Sequence, residues 1–114
     1  MTIKRMNPAK RWSDAVIYND TIYYTSVPDN LDADVTAQTA NVLADIDIML
    51  SQLGSSKERI LDVTIFLADR VDFASMNAAW DAWVPDGNAP VRCTVEAALM
   101  KPQYKVEIKI VAAC

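Results

Sequence analysis

Residues 13–27 read SDAVIYNDTIYYTSV, and this stretch carries the clearest structural signal in the chain. Two runs rich in Val, Ile, Tyr and Thr, residues 13–18 and 21–27, flank the pair Asn19-Asp20. Asn and Asp tolerate a positive φ, which a two-residue hairpin turn requires. The stretch therefore predicts two antiparallel strands joined by a tight turn.

A long amphipathic helix is predicted next along the chain. Apolar residues recur at three- and four-residue steps from Asp34 to Leu53, which is the spacing of one helix face. Asp32 or Asp34 can cap the start of this helix, and Gly54 suits the left-handed position after its end. The pattern therefore gives both bounds of the helix as well as its buried face.

A second helix is predicted from Asp72 to the turn that begins at Pro85. Between the two helices, Ser55 and Glu58 have the Ser-x-x-Glu spacing of a capping box, which predicts a single helical turn there. One face of the second helix is expected to hold apolar residues, with both tryptophans in the core: Phe73, Met76, Trp80, Trp83 and Val84.

Further strands are predicted over residues 2–6, 60–68, 91–99 and 104–112. The expected order is β-β-β-α-β-α-β-β, an α+β arrangement in which each helix links two strands in the manner of a right-handed crossover. Two helices can cover one face of such a mixed sheet. We expect the other face to lie open.

The open face is predicted to carry a mixture of polar and apolar side chains that includes Tyr23, Thr25 and Thr94. Such a face is too apolar for free exposure to water and too polar for a core. Self-association would bury it, so we expect a homo-oligomer in which sheet faces meet and clefts form between subunits. The alternative is a monomer with a wet, mixed face.

Composition limits the classes of partner. Residues 1–114 are expected to form one domain, because 114 residues are the length of a single compact domain. With 52% hydrophobic and 23% charged residues, the chain has enough apolar material to fold. The formal net charge of −4 argues against a nucleic-acid partner, and the basic cluster Lys4, Arg5, Lys10 and Arg11 is interpreted as solvated surface. No apolar run approaches the roughly 20 residues of a membrane helix. We expect a cytoplasmic protein that does not bind membranes.

The chain contains no histidine and two cysteines, Cys93 and Cys114. The ligand spacings of zinc and iron–sulfur sites are therefore missing, and so are all Ser–His and Cys–His nucleophile pairs. We expect neither a metal nor another cofactor. Any catalysis has to use carboxylates, lysine, hydroxyl groups, backbone groups or ordered water.

The stretch APVRCTVE, residues 89–96, holds the main candidate for chemistry. Alternation along a strand places Arg92, Thr94 and Glu96 on one side and Cys93 on the apolar side, where it is expected in the core. Arg92 is a candidate anion clamp, because its planar guanidinium can hold a carboxylate through two parallel hydrogen bonds. The alternative is a structural ion pair with Glu96, Glu107 or an acidic residue of another subunit.

The chain resembles the Rid family, the YjgF-like and RutC-like reactive intermediate deaminases, and is most similar to its small YoaB-like branch. The resemblance covers nearly the whole length. It implies a chorismate-mutase-like fold, a homotrimer with sheets facing inward, and ligand sites in the intersubunit clefts. The segments that carry it are residues 12–16, 24–28, 62–69, 72–77, 89–96 and 105–112.

The resemblance also implies roles for individual residues. Arg92 matches the arginine that grips the carboxylate of a small enamine or imine acid, such as 2-aminoacrylate or 2-iminobutanoate. Thr25 matches a pocket serine, and Thr94 matches a cysteine whose backbone carbonyl contacts the substrate nitrogen. Trp12 stands where the family has a tyrosine, which removes a hydroxyl group. Asn77 is expected either to line the cleft or to make a hydrogen bond at the helix terminus.

Lys109 is the main departure from the family, since it stands where deaminating members have a glutamate that orients the attacking water. A lysine cation cannot accept a proton from that water. Glu107, two residues earlier on the same side of the strand, is an alternative acceptor. The expected function is imine deamination, a hydrolysis of a C–N bond that yields a 2-keto acid. The alternatives are a non-catalytic sensor of small carboxylates and a trimeric interaction protein.

Overall fold

The computed structural model describes residues 2–114, which form a six-stranded sheet with two α-helices on one face. The prediction of a mixed sheet in the order β-β-β-α-β-α-β-β is confirmed. The elements are β1 (Lys4–Met6), β2 (Ala15–Tyr18), β3 (Thr21–Ser26), α1 (Val35–Gln52), β4 (Ile60–Leu67), α2 (Phe73–Trp83), β5 (Val91–Glu96) and β6 (Val106–Ala113).

The predicted hairpin joins β2 and β3. Asn19 and Asp20 adopt φ values of 53° and 58°, as the two-residue turn requires. In the spatial order β1-β2-β3-β6-β4-β5, the last strand of the chain lies between β3 and β4. The β4–β5 pair is parallel, and every other neighbouring pair is antiparallel. Consequently β5 is an edge strand.

Helix α1 begins and ends where the sequence predicts. The Asp34 side chain accepts a hydrogen bond from the Ala37 backbone N–H at 2.9 Å, which caps the first turn. Gly54 follows the helix with a φ of 75°, a left-handed conformation that favours glycine.

The predicted capping box at Ser55 is wrong. The Ser55 hydroxyl donates to the Ala113 backbone carbonyl, which attaches this turn to β6. A 3₁₀ turn over Lys57–Arg59 follows Ser56, whose side chain makes no capping hydrogen bond. The single helical turn exists, but a contact with the sheet replaces the local cap.

The last two strands are each shorter at one end than predicted, for different reasons. The predicted strand 91–99 stops at Glu96, since β4 ends at Leu67 and offers no further pairing. The predicted strand 104–112 starts at Val106, because the Lys105 backbone N–H donates to the Gln38 side chain instead. Gln38 is fully buried, so this contact secures the preceding loop to α1.

The core lies between the helices and one face of the sheet. Alternate residues of β4 and β6 are buried under α1 and α2, and Trp80 belongs to this core as predicted, while Trp83 is half-buried against it. The opposite face lies open, with Tyr18, Tyr23 and Val91 exposed on it. Across residues 2–114, neither helix has the length and apolar character needed to cross a bilayer.

Candidate functional site

Arg92 lies on the helix-covered face of the sheet, at the β5 edge. The parallel register places it opposite Val63 of β4, whose side chain is fully buried under the helices. Arg92 itself is half-buried, since within residues 2–114 no strand lies beyond β5. The guanidinium is therefore held between the sheet and α2 while remaining within reach of solvent.

Three residues of α2 surround the Arg92 guanidinium. Nη1 donates to Asn77 Oδ1 at 2.7 Å. The Cζ atom lies 5.2 Å from the centre of the Trp80 ring and 6.0 Å from that of Phe73. Asn77 thus binds Arg92 and does not make the helix-terminus hydrogen bond considered above. The sequence signal for this contact is the 73, 77, 80 spacing of one helix face, which had indicated only core packing for the aromatic residues.

The intrachain ion pairs considered for Arg92 do not form in residues 2–114. Glu96 accepts a hydrogen bond from the Arg70 backbone N–H at 2.8 Å and so stabilises the 3₁₀ turn Arg70–Asp72 before α2. Glu107 lies on the opposite face of the sheet. Within the described residues Arg92 has one hydrogen-bond acceptor, a neutral amide, and its positive charge is uncompensated.

Thr94 does not lie on the open face, which corrects the sequence prediction. It pairs with the buried Ile65 and shares the helix-covered side with Arg92, because residues two apart on a strand point the same way. Its Oγ1 atom is buried and has no hydrogen-bond partner in residues 2–114. A buried hydroxyl without a partner costs about 1–3 kcal/mol.

Replacing this hydroxyl gives a stability prediction. Thr94→Val keeps the shape and β-branching of the side chain and removes the unpaired oxygen, so we expect the free energy of unfolding to rise by about 1 kcal/mol. Urea unfolding measures the change, with Thr94→Ser as the variant that retains the hydroxyl. A loss of stability in Thr94→Val would show that the hydroxyl has a partner after all.

Thr25, Glu107 and Lys109 lie together on the open face. Lys109 is flanked by Thr25 of β3 and Thr64 of β4 in the pairing register, and Glu107 is two residues away on the same side, as predicted. The sheet separates this group from Arg92. A single protomer therefore does not bring the predicted site residues together.

Trp12 and Cys93 are both exposed. Trp12 lies in the connection between β1 and β2 with 69% of its surface accessible. Cys93 was predicted in the core, and this is wrong: it points to the open face, where its Sγ lies 3.9 Å from Thr64 Oγ1. The alternation was right, but the apolar side of β5 is the side that no helix covers.

Two surface grooves lie away from Arg92. One of about 410 Å³ runs between α1 and α2, and its lining includes Ala40, Ala79 and Trp83. The other, of about 290 Å³, lies beside the end of β3 and contains Asp45, which accepts hydrogen bonds from the hydroxyls of Tyr24 and Ser26. Of the residues predicted to bind substrate, the second groove includes Thr25 and the first includes none.

The Tyr24–Asp45 contact predicts a decline in stability at alkaline pH. Burial, with the hydrogen bond to the Asp45 carboxylate, raises the pKa of the Tyr24 phenol well above its ordinary value. Tyr24 therefore contributes fully to the free energy of unfolding below pH 10, which is about the pKa of tyrosine in the unfolded chain. The contribution is lost as pH rises above that value, because Tyr24 ionises in the unfolded chain before it ionises in the folded protein.

Tyr24→Phe tests this decline. It should lower the free energy of unfolding by about 1.5 kcal/mol at pH 8 and flatten the loss of stability above pH 10. Urea unfolding from pH 8 to 11 measures both effects, with the exposed Tyr18→Phe as control. An unchanged slope in Tyr24→Phe would rule out the coupling.

Comparisons with known proteins agree with the fold. The Endoribonuclease L-PSP family pattern matches residues 2–114. The RutC family protein YoaB of Escherichia coli (strain K12) is 67% identical over 113 residues, which are 99% of each chain. A crystal structure of a YjgF protein family member from Neisseria meningitidis has a TM-score of 0.95 and 45% identity, covering 99% of this chain and 95% of that one. The 2-iminobutanoate/2-iminopropanoate deaminase of E. coli (strain K12) is 34% identical over 82 residues, 70% of this chain and 64% of that protein.

Proposed function

The chain belongs to the Endoribonuclease L-PSP family, which includes the YjgF and RutC proteins, and on this premise we propose that it hydrolyses small 2-imino or 2-enamino acids. The products are a 2-keto acid and ammonia. The proposed substrates include 2-iminobutanoate and 2-aminoacrylate, and a cytoplasmic location is part of the proposal. A relative named as a 2-iminobutanoate/2-iminopropanoate deaminase supports this class of substrate.

The observation that carries the proposal is the uncompensated charge of Arg92. Its guanidinium is half-buried, contacts a neutral acceptor, and retains N–H donors for another group. A substrate carboxylate would supply the missing negative charge through two parallel hydrogen bonds. The ligand class is therefore a small organic acid.

In the proposed reaction, Arg92 holds the carboxylate and the Thr94 backbone carbonyl faces the substrate nitrogen. A 2-enamino acid first becomes the imine by gaining a proton at its β-carbon and losing one from nitrogen. Water then adds to the C=N carbon to give a tetrahedral carbinolamine, and cleavage of the C–N bond releases ammonia and leaves the keto group. Thr25 and Glu107 are the proposed hydrogen-bond partners of the water. The reaction requires positioning more than strong acid–base catalysis, because the imine is already electrophilic.

The proposed site needs a second copy of the chain. Thr25, Glu107 and Lys109 lie on the face opposite to Arg92, so one protomer cannot present them to the same ligand. We propose a homotrimer whose sheets face inward, with the β5 edge of one protomer against the open face of its neighbour. Burial of the exposed Tyr23 and Val91 would favour this packing. Trp12 is proposed to contribute to the same cleft.

Lys109 favours a second candidate function, the binding or sensing of small 2-keto acids without turnover. An ammonium group strengthens the attraction for a carboxylate but cannot accept the proton of an attacking water. The acidic chain gives no corresponding support for a ribonuclease, since the net charge is −4.

The two candidates are separated by one assay. Formation of 2-oxobutanoate from freshly generated 2-iminobutanoate is followed with and without the protein, while 2-oxobutanoate binding is titrated separately. We expect acceleration for a deaminase, and binding without acceleration for a sensor. The absence of both, with the oligomer intact by sedimentation, would overturn the carboxylate site itself.

A further inference from the structure

We infer that one face of α2, formed by Phe73, Asn77 and Trp80, positions the Arg92 guanidinium for carboxylate binding. This inference rests on the proposed function and identifies the residues that give its binding site a fixed geometry. The three residues act through Arg92, so they are positioning residues. Nothing in the resemblance assigned this role to the two aromatic side chains.

The guanidinium contacts two aromatic rings on the same helix. Phe73 and Trp80 are seven residues apart, which is two helical turns and about 10.5 Å along the axis. The Arg92 Cζ atom lies 6.0 Å from the first ring centre and 5.2 Å from the second. Both distances are within the roughly 6 Å of a cation–π contact, so both rings of α2 interact with the cation.

Asn77 supplies the third contact without cancelling the charge. It lies between the two rings along the helix, and its Oδ1 accepts from Arg92 Nη1 at 2.7 Å. An aspartate at this position would offer the same oxygen but would form an ion pair and satisfy the guanidinium. A neutral acceptor therefore fixes the side chain while leaving its positive charge for a ligand.

This set of contacts from Phe73, Asn77 and Trp80, called the clamp below, lowers the entropic cost of carboxylate binding by Arg92. A free arginine side chain samples many rotamers and would have to lose that freedom when a carboxylate binds. Here the contacts with α2 hold it in one orientation beforehand. Phe73 keeps 45% of its surface exposed, so one wall of the clamp also borders the solvent from which a ligand would arrive.

The clamp can be observed in the free protein by NMR of the arginine side chains. In a fixed guanidinium, rotation about the Cζ–Nε bond is slow and the Nη–Hη signals are resolved, whereas a mobile one gives averaged signals. The Arg92 signals are assigned by their loss in Arg92→Ala. We expect resolved signals in the wild type and averaged signals in Asn77→Ala and in Phe73→Leu, which keeps an apolar side chain at a half-exposed position.

Binding of 2-oxobutanoate provides the second measurement. Asn77→Ala should weaken its affinity about tenfold, because the side chain must then be ordered on binding. Asn77→Asp should keep the resolved signals and still lose affinity, since the added carboxylate competes for the charge. Ser75→Ala, on the exposed side of α2, is the matched control and should change neither result.

Unchanged Arg92 signals and unchanged affinity in both Asn77→Ala and Phe73→Leu would overturn the inference. A wild type that neither binds 2-oxobutanoate nor accelerates imine hydrolysis would instead refute the proposed function, and the spectra of the free protein would still decide whether α2 fixes the guanidinium. Because Phe73 lies outside the buried core, we expect Phe73→Leu to fold, so it can still test the inference if Asn77→Ala does not fold.

Discussion

Arg92→Ala is expected to reduce both imine hydrolysis and 2-oxobutanoate binding by about a hundredfold or more. Truncating one partner of a buried, hydrogen-bonded charge pair costs about 2–5 kcal/mol, and in the proposed site the other partner is the substrate carboxylate. Arg92→Lys should recover only part of the loss, because a point charge replaces the planar fork of donors. Rates and dissociation constants of both variants measure the effect.

The matched control for this prediction is Arg59→Ala. Arg59 is exposed and ends the 3₁₀ turn before β4, and it takes no part in the contacts around the Arg92 guanidinium. Arg59→Ala removes the same charge and should leave the rate of imine hydrolysis and the affinity for 2-oxobutanoate within about twofold of the wild type. Equal losses in Arg59→Ala and Arg92→Ala would mean that net charge, and not the Arg92 site, governs binding.

Lys109→Glu is expected to raise imine hydrolysis about a hundredfold. A carboxylate can accept a proton from water and orient it, and a positioned general base contributes about 10²–10⁴-fold. Lys109 is exposed and lies at the centre of the open face between Thr25 and Thr64, so the change replaces a solvated side chain without opening the core. The rate of 2-oxobutanoate formation measures the gain.

Lys4→Glu is the control, since it changes the net charge equally at an exposed position on β1. A gain confined to Lys109→Glu would place residue 109 beside the reacting carbon. Retained binding of 2-oxobutanoate with no gain in rate would contradict the proposed role of this position and would favour the sensor.

The fold follows from local signals to a large extent. Asn19-Asp20 predicts the hairpin turn and Asp34 the start of α1, because each acts through atoms within a few residues. The local predictions are wrong where a group forms a hydrogen bond with a segment that is distant in sequence. Ser55 bonds to β6 in place of its own turn, and Lys105 leaves the predicted strand to bond to Gln38.

The candidate site was predictable in its residue types but not in its geometry. Alternation correctly separated Arg92 from Cys93, yet it could not show which side the helices cover. That choice depends on the parallel register with β4, which pairs Arg92 with the buried Val63 and Cys93 with Thr64 on the open face. The same register removed Thr94 from the open face.

The contacts around Arg92 depend on the packing of α2 against β5, which no local pattern encodes. Phe73, Asn77 and Trp80 have the spacing of one helix face, and that spacing is equally typical of a buried core. The sequence predicted a homo-oligomer with clefts between subunits, but it did not show that Arg92 and Lys109 lie on opposite faces of the sheet. That assignment depends on the faces of β5 and β6, which become known only once the sheet order is known.

A crystal structure of the assembled protein with 2-oxobutanoate would show whether Arg92 binds a carboxylate in a cleft between copies. We expect the carboxylate of the ligand on the Arg92 guanidinium, at the roughly 2.7–2.9 Å of charge-assisted hydrogen bonds, with Thr25 and Lys109 of a neighbouring copy in the same cleft. A carboxylate of a neighbouring copy paired with Arg92, leaving no space for a ligand, would contradict this expectation.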